Sequence, residues 1–268
     1  MYTALTAFLV LGSLLGSAEA ASPDVGLIVK RMRAALEPER PSARKMTFRI
    51  SGADDDASRV VVGQASSGVG DRRRILTVVL SPESLRGTAY LVEQSSADED
   101  VQWLYLPAID RVRKVVSPEA YAAFLNSDFT YSDLGMIGRG TRYTLLGEEE
   151  QDGTHAYRIE GVPKQTWYYG RTVSWVAADS GLPLQRRLYD AAKQLWKVER
   201  WEDVSVVDGV PTTMHVSMND VQARTRTDIN VSAVRYDVDV SDTLFDPSQL
   251  PKAAASPLWT QLEGRAER

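Results

Sequence analysis

Hydrophobic and polar residues alternate along most of the chain with the two-residue period that is typical of β-strands. In the first such segment, Met46, Phe48 and Ile50 alternate with polar neighbours. Further strand patterns lie at 59–65, 72–80, 86–93, 101–106, 111–116, 142–149, 155–161, 171–177, 183–189, 194–207, 211–219 and 224–238. Short turn sequences such as 151–153 and 208–209 separate neighbouring patterns, which favours antiparallel pairing. The chain is therefore predicted to be mainly β, with about 11–12 sequential antiparallel strands.

An antiparallel sheet with this many strands is expected to curl strongly, and a barrel wider than about eight strands leaves an interior that must be filled. The segment 117–138 is the candidate filling, because it is too apolar for an ordinary loop. It opens with Ser117 and Pro118, which resemble an N-cap followed by the helical position where proline is favoured. The pattern predicts a short helix over 119–125, inside a curled sheet or barrel.

A second helical pattern lies near the N-terminus. Ser22 and Pro23 again have the character of an N-cap and a first helical turn, and Pro38 ends the pattern. Between them, apolar residues stand at helical spacing at Val25, Ile28, Val29, Met32 and Leu36. We predict an amphipathic helix whose apolar stripe packs against the sheet, with binding of a partner as the alternative.

The first 20 residues have the character of an export signal. The apolar run Leu5–Leu15 is too short to span a bilayer, and the segment 18–20 has a small residue at its first and last positions. We predict that residues 1–20 are a signal peptide cleaved before Ala21, with an uncleaved membrane anchor as the alternative. No linker or change in composition divides residues 21–268, which are predicted to form one domain in the periplasm.

Composition and motifs argue against several classes of function. The formal net charge of −5 does not favour binding of nucleic acid. The chain contains no cysteine, which excludes disulfides, thiol chemistry and a lipidated cysteine. His155 and His215 are the only histidines, and neither has a second ligand at metal spacing. Because no nucleotide, dinucleotide or hydrolase motif occurs either, we predict no metal, no cofactor and no enzymatic activity; an envelope hydrolase is the least favoured class.

The region 101–138 contains the densest cluster of aromatic residues. Core packing would account for any one of them, but an aromatic strand, a short helix and an apolar loop together favour a cavity with a movable cover. The candidate ligand-binding residues are Trp103, Tyr105, Phe124, Phe129, Tyr131, Leu134 and Met136.

Charged residues in two other places require interpretation. The basic strand carries Arg111, Arg113 and Lys114, which either approach anionic headgroups, pair with Asp128 and Asp133 of the cover, or are simply solvated. The strand patterns that contain Trp196 and Trp201 carry charges at alternate positions, and these are predicted to lie on the solvent-facing side of the sheet: Lys197, Glu199 and Glu202.

Three runs within residues 101–138 are distinctive: Trp-x-Tyr-Leu-Pro at 103–107, Arg-Val-Arg-Lys at 111–114 and Ser-Asp-Phe-Thr-Tyr-x-Asp-Leu at 127–134. Together they resemble the outer-membrane lipoprotein-sorting proteins, relatives of the LolA-like periplasmic carriers. The resemblance covers the whole mature chain. It implies an incompletely closed antiparallel barrel around a helical lid, with an apolar cavity for acyl chains between them.

The same resemblance implies a function. It predicts a periplasmic carrier that shields lipid or lipoprotein acyl chains between the inner and outer membranes. The implied partners are the acyl chains themselves, an inner-membrane exporter, an outer-membrane acceptor and, transiently, the membrane surface. The alternative is a lipid-sensing or accessory binding module of similar fold in the cell envelope.

Overall fold

The computed structural model describes residues 23–52, 57–69, 72–94, 100–116, 121–134, 140–164 and 168–263. In this part of the chain, thirteen β-strands form one sheet, and each pair of neighbours is antiparallel. The strands are β1 (Ser42–Ser51), β2 (Ala57–Ser67), β3 (Arg74–Ser81), β4 (Ala89–Glu93), β5 (Val101–Leu106), β6 (Arg111–Lys114), β7 (Thr141–Gln151), β8 (Thr154–Pro163), β9 (Arg171–Ala177), β10 (Pro183–Tyr189), β11 (Leu195–Val207), β12 (Val210–Asp220) and β13 (Thr225–Tyr236).

The order of the strands in space is β6-β5-β4-β3-β2-β1-β13-β12-β11-β10-β9-β8-β7. Only the contact between β1 and β13 joins strands that are distant in sequence. The edges are β6 and β7, so the sheet is not closed into a barrel. The predicted mainly β fold, an incompletely closed antiparallel barrel of sequential strands, is confirmed as a sheet that does not close, with thirteen described strands instead of the predicted 11–12.

Two of the predicted turns illustrate why the strands follow one another so directly. Asp152 and Gly153 join β7 to β8, and Asp208 and Gly209 join β11 to β12. All four residues have positive φ, at 52° and 78° in the first turn and at 49° and 78° in the second. Aspartate followed by glycine suits two-residue hairpins of this kind, because both central residues must adopt left-handed backbone conformations.

The two faces of the sheet are covered by different segments. We call the face that carries Phe48 and Val62 the inner face, because residues 121–134 pack against it. The opposite face, which carries Ala65 and Leu76, is the outer face. Side chains alternate between these faces along each strand, so the cross-strand register assigns every strand residue to one of them.

The N-terminal helix α1 (Val25–Leu36) covers the inner face at the β7 end of the sheet. Its buried residues Ile28, Val29 and Met32 pack with residues of β8 and β9, as the helical spacing predicted. The helix begins later than predicted, because Asp24 is its N-cap: the Asp24 carboxylate accepts a hydrogen bond from the Gly26 amide at 2.8 Å. The predicted N-cap, Ser22, lies outside the described residues.

The C-terminal segment covers the outer face of β1–β6. It consists of two 3₁₀ segments, Asp242–Phe245 and Pro247–Ala255, and a short helix α2 (Leu258–Glu263). Its buried side chains pack into one cluster with the outer-face residues: Phe245, Leu250, Ala253, Trp259 and Leu262. The sequence analysis did not predict this cover.

Among the described residues, no helix has the length and apolar composition needed to cross a membrane. The predicted signal peptide, residues 1–20, lies outside the described residues.

Candidate ligand-binding cavity

Residues 121–134, which lie in sequence between the edge strands β6 and β7, pack on the inner face, and we call them the lid segment. It contains 3₁₀ turns at Phe124–Asn126 and Tyr131–Leu134, and Ala123 and Thr130 form an antiparallel bridge. The predicted helix over 119–125 is wrong for its described part, because Leu125 has φ of 53° and the bridge at Ala123 is extended. Residues 117–120 lie outside the described residues.

The aromatic side chains of the lid segment pack against the sheet. Phe124 and Phe129 are buried, and their ring centroids lie 5.6 Å and 6.3 Å from that of Phe48. The ring centroid of Tyr131 lies 4.9 Å from that of Tyr90 on β4. Three of the predicted ligand-binding residues therefore lie together on the inner face. The backbone of Leu134 ends the second turn, and Met136 lies outside the described residues.

Asp128 anchors the lid segment to β13. Its amide donates a hydrogen bond to Thr227 Oγ1 at 3.0 Å, while the hydroxyls of Thr225 and Thr227 donate to its two carboxylate oxygens. Lys197 on β11 is buried and donates from Nζ to the carbonyl oxygen of Asp128 at 2.6 Å. The middle of the lid segment is thereby held by polar bonds as well as by aromatic packing.

Asp133 forms a second anchor. Its Oδ2 accepts hydrogen bonds from the amide and the hydroxyl of Thr130, each at 2.8 Å, and from the Tyr169 hydroxyl at 3.0 Å. Tyr169 lies between β8 and β9, and burial together with the neighbouring charge of Asp133 raises its pKa well above 10. Tyr169 is therefore a stable hydrogen-bond donor to this carboxylate at neutral pH.

A buried ion pair lies on the inner face beside these anchors. Arg186 on β10 donates from Nε to Glu199 Oε2 at 2.9 Å and also donates from Nη2 to the same oxygen. The Glu199 side chain is only 4% exposed, and burial raises its pKa to about 7 against the opposing effect of Arg186. The prediction that Lys197 and Glu199 face solvent is wrong, whereas Glu202 is exposed as predicted.

A cavity of about 140 Å³ lies between the lid segment, the end of α1 and the inner face of the central strands. Its lining is mainly apolar and includes Leu36, Met46, Phe48, Phe129, Leu182, Val216, Ile229 and Val231. A smaller polar set lines the rest and includes Arg44, Gln64, Asp133, Glu199, Thr212 and Thr213. A concave apolar site with a few polar groups is the usual form of a small-molecule site.

Trp103 and Tyr105, predicted to bind the ligand together with the lid aromatics, do not join them. Both lie on the outer face of β5 and pack in the cluster formed with the C-terminal segment. The inner-face residue of β5 is Leu104, which packs with Tyr90 and Tyr131. The prediction that Trp103 and Tyr105 join the lid aromatics was wrong. Side chains alternate between the two faces of β5, and these two lie on the face opposite the lid segment, where the C-terminal segment covers them.

Of the three interpretations of the basic strand, the described residues do not favour pairing with Asp128 and Asp133. These carboxylates accept hydrogen bonds from the threonines and Tyr169 described above. The register places Arg113 opposite the inner-face residue Leu104, and its charge acts on Tyr131. Lys114 faces outward, with Nζ 5.0 Å from the Trp103 ring centroid. Contact of β6 with anionic headgroups remains a prediction, with Arg111 exposed at this edge.

The sequence analysis did not predict the residues that bond to the two anchors, or the ion pair beside them. The residues missed in this way are Thr225, Thr227, Tyr169, Lys197, Arg186 and Glu199. The available signal was the alternation in β11, which places Lys197 and Glu199 on the same face as Trp201. Alternation alone could not show that this face is the covered one. Thr225 and Thr227 lie nearly 100 residues from Asp128 in sequence, so only the fold brings them together.

Comparison with known proteins identifies a matching family model and solved structures of similar fold. A family model described as an uncharacterized protein matches residues 71–252. No curated protein matches the chain.

Three solved structures are similar over most of the chain. A domain assigned to the outer membrane lipoprotein-sorting proteins, from Vibrio parahaemolyticus, has 26% identity and a TM-score of 0.78 over 84% of this chain and 97% of its own. A DUF1329 family protein from Desulfovibrio piger has 28% identity and a TM-score of 0.77 over 84% and 96%. A LolA superfamily protein from Nitrosomonas europaea has 16% identity and a TM-score of 0.69 over 84% and 98%, which shows a shared fold.

Proposed function

Because this chain belongs to the DUF1329 family of uncharacterized proteins and has a LolA-like fold, we propose that it is a carrier that shields lipid or lipoprotein acyl chains. The similarity to the lipoprotein-sorting domain from Vibrio parahaemolyticus supports a binding protein of the carrier type. The proposed setting is the periplasm, and the proposed partners are an inner-membrane exporter and an outer-membrane acceptor.

The observation that carries this proposal is the apolar cavity under the lid segment. Phe129 closes one side of it, and Phe48, Ile229 and Val231 line the sheet beneath. An apolar cavity with a peptide cover excludes water from a hydrocarbon chain without requiring any specific polar group.

The size of the cavity implies that binding requires a conformational change. At about 140 Å³, it is smaller than the ~300–1,000 Å³ typical of sites for small organic ligands. The ring of Phe129 borders this space, and its packing against Phe48 occupies volume that an acyl chain would need. We propose that the lid segment moves away from β1 when the chain enters.

The energies are compatible with such an exchange. Burying an acyl chain of about sixteen carbons contributes at most ~12 kcal/mol, at ~0.8 kcal/mol for each methylene, before ordering reduces it. Losing the packing of one buried phenylalanine costs about 3–5 kcal/mol. The ligand can therefore displace aromatic packing and still bind tightly, but unassisted release would be slow. Release is accordingly expected at a membrane or partner surface.

Binding of hydrocarbon ligands is the direct test. Protein purified from its native envelope should carry lipid in about equimolar amount in native mass spectrometry, and fatty acids should displace both this lipid and an environment-sensitive apolar dye. Folded protein that contains no lipid and binds neither dye nor fatty acid would contradict the proposal. Lipid-dependent binding of a partner without transfer of the lipid would instead favour the sensing module.

A further inference from the structure

Arg44 is the charged cavity residue whose role the folded chain does not explain. It lies on the inner face of β1 and lines the cavity close to Leu36 and Tyr236. The alternation of β1 places it on the same face as Met46 and Phe48. In the described part of the chain, no carboxylate pairs with Arg44 and no acceptor receives a hydrogen bond from its guanidinium group.

Arg44 is half-buried in the lining of the cavity, so its charge is partly removed from water. Burial lowers the pKa of Arg44, with only the neighbouring Tyr236 acting in the opposite direction. A second arginine, Arg73, is buried nearby. Burial and repulsion from Arg44 lower its pKa, while the neighbouring charges of Glu37 and Glu39 act in the opposite direction. Arg73 Nη1 donates to the Pro38 carbonyl at 2.8 Å, but its buried Nε has no hydrogen-bond partner among the residues that the structure describes. A guanidinium group in this setting gains stability when an anion binds.

The other charged groups that line the cavity already have partners. Glu199 is bound to Arg186, and Asp133 accepts hydrogen bonds from Thr130 and Tyr169. Among the described residues that line the cavity, Arg44 is therefore an unpaired cation, and the carboxylates of Asp133 and Glu199 are engaged elsewhere.

The apolar part of the lining begins directly beside this cation. Met46 and Phe48 follow Arg44 on the same face, and at ~3.3 Å per residue the step from Arg44 to Phe48 is roughly 13 Å along β1. Ile229 and Val231 on β13 lie beside these residues across the strand pairing. This arrangement suits a molecule with an anionic head and a hydrocarbon tail.

We propose that Arg44 binds the anionic head of an amphiphilic ligand, a carboxylate or a phosphate, whose hydrocarbon tail lies along Met46 and Phe48. The inference rests on the proposed carrier function, since it requires that the cavity opens to such a ligand. It goes beyond that function by selecting anionic amphiphiles over neutral ones.

The test compares ligands that differ only in the head. Palmitate and hexadecanol have the same tail length, and phosphatidic acid and diacylglycerol form a second pair that distinguishes phosphate from carboxylate. At pH 8, the wild-type protein should bind each anionic member about 10- to 100-fold more tightly than its neutral counterpart, which is the range of one or two charge-assisted hydrogen bonds. If the protein prefers the anionic member in only one of the two pairs, that pair shows whether Arg44 binds a carboxylate or a phosphate.

Substitutions at Arg44 assign the preference to this residue. Arg44→Met should bind palmitate no better than hexadecanol and leave hexadecanol binding unchanged, whereas Arg44→Lys should keep part of the preference. Arg49→Met is the matched control, because Arg49 is an exposed residue on the opposite face of the same strand. Thermal unfolding of each variant establishes that it is folded, and the lysine variant provides the comparison if the methionine variant is unstable.

Three results would overturn the inference. If the wild-type protein binds anionic and neutral ligands equally, or if Arg44→Met retains the full preference, Arg44 does not bind the head, while the proposed carrier function stands. If the folded wild-type protein binds none of the four ligands, both the inference and the carrier function are wrong.

Discussion

Replacing Phe129 by alanine tests whether the lid segment moves away from β1 when the ligand binds. Phe129 is 2% exposed, and its ring packs edge-on against Phe48 with a centroid separation of 6.3 Å. Removing a buried phenylalanine side chain costs about 3–5 kcal/mol, because hydrophobic burial is lost and a void remains. Here the void adds to the existing cavity of about 140 Å³. We expect unfolding in urea to show a loss in this range for the unliganded protein.

The same substitution should strengthen ligand binding. If Phe129 leaves Phe48 when an acyl chain enters, the wild-type protein loses this packing on binding, whereas Phe129→Ala has lost it already. The variant should then bind palmitate at least tenfold more tightly, since each ~1.4 kcal/mol is a factor of ten in affinity. By linkage, the difference in stability between the two proteins should shrink by the same free energy when both are saturated with palmitate.

Trp103→Ala is the matched control for this experiment. It removes a large aromatic side chain from the outer face, beneath the C-terminal segment and away from the cavity. This variant should lose stability without any change in affinity for palmitate. If folded Phe129→Ala binds palmitate more weakly than the wild type, Phe129 is a wall of the site rather than a cover, and the reasoning about displacement is refuted.

Three further predictions concern other parts of the chain. Gly63→Ala should destabilise the protein by about 1–3 kcal/mol in urea unfolding, because an added Cβ would lie 2.7 Å from the Trp259 ring of α2; an unchanged midpoint would mean that α2 shifts freely. The folded-state pKa of Glu199, about 7, exceeds its ordinary value of 4.5, so the stabilisation from proton uptake is present below pH 4.5 and is lost as the pH rises to 7. Relative to Glu199→Gln, the wild type should therefore lose roughly 3 kcal/mol between these pH values in urea unfolding, and a pH-independent difference would contradict the pKa assignment. The intact mass of the exported protein should correspond to a chain that begins at Ala21, and a mass that includes Met1 would refute cleavage.

Much of the fold could be predicted from local sequence patterns. A two-residue alternation requires a strand whichever face is covered, and a turn such as Asp208–Gly209 joins strands through backbone conformations that its own residues favour. The stripe of α1 likewise predicted a helix packed on a sheet. The apolar character of the lid segment indicated an interior position, because Phe124 and Phe129 would otherwise be exposed to water.

The tertiary structure alone decided which face of each strand is the inner one. Alternation shows which residues share a face, but the segment that covers that face can lie far away in sequence. Residues 242–263 pack with Trp103 on the outer face, so it does not belong to the cavity. The lid segment and the loop that carries Tyr169 bury Lys197 and Glu199 on the inner face, where hydrogen bonds and an ion pair compensate for the loss of water around their charges.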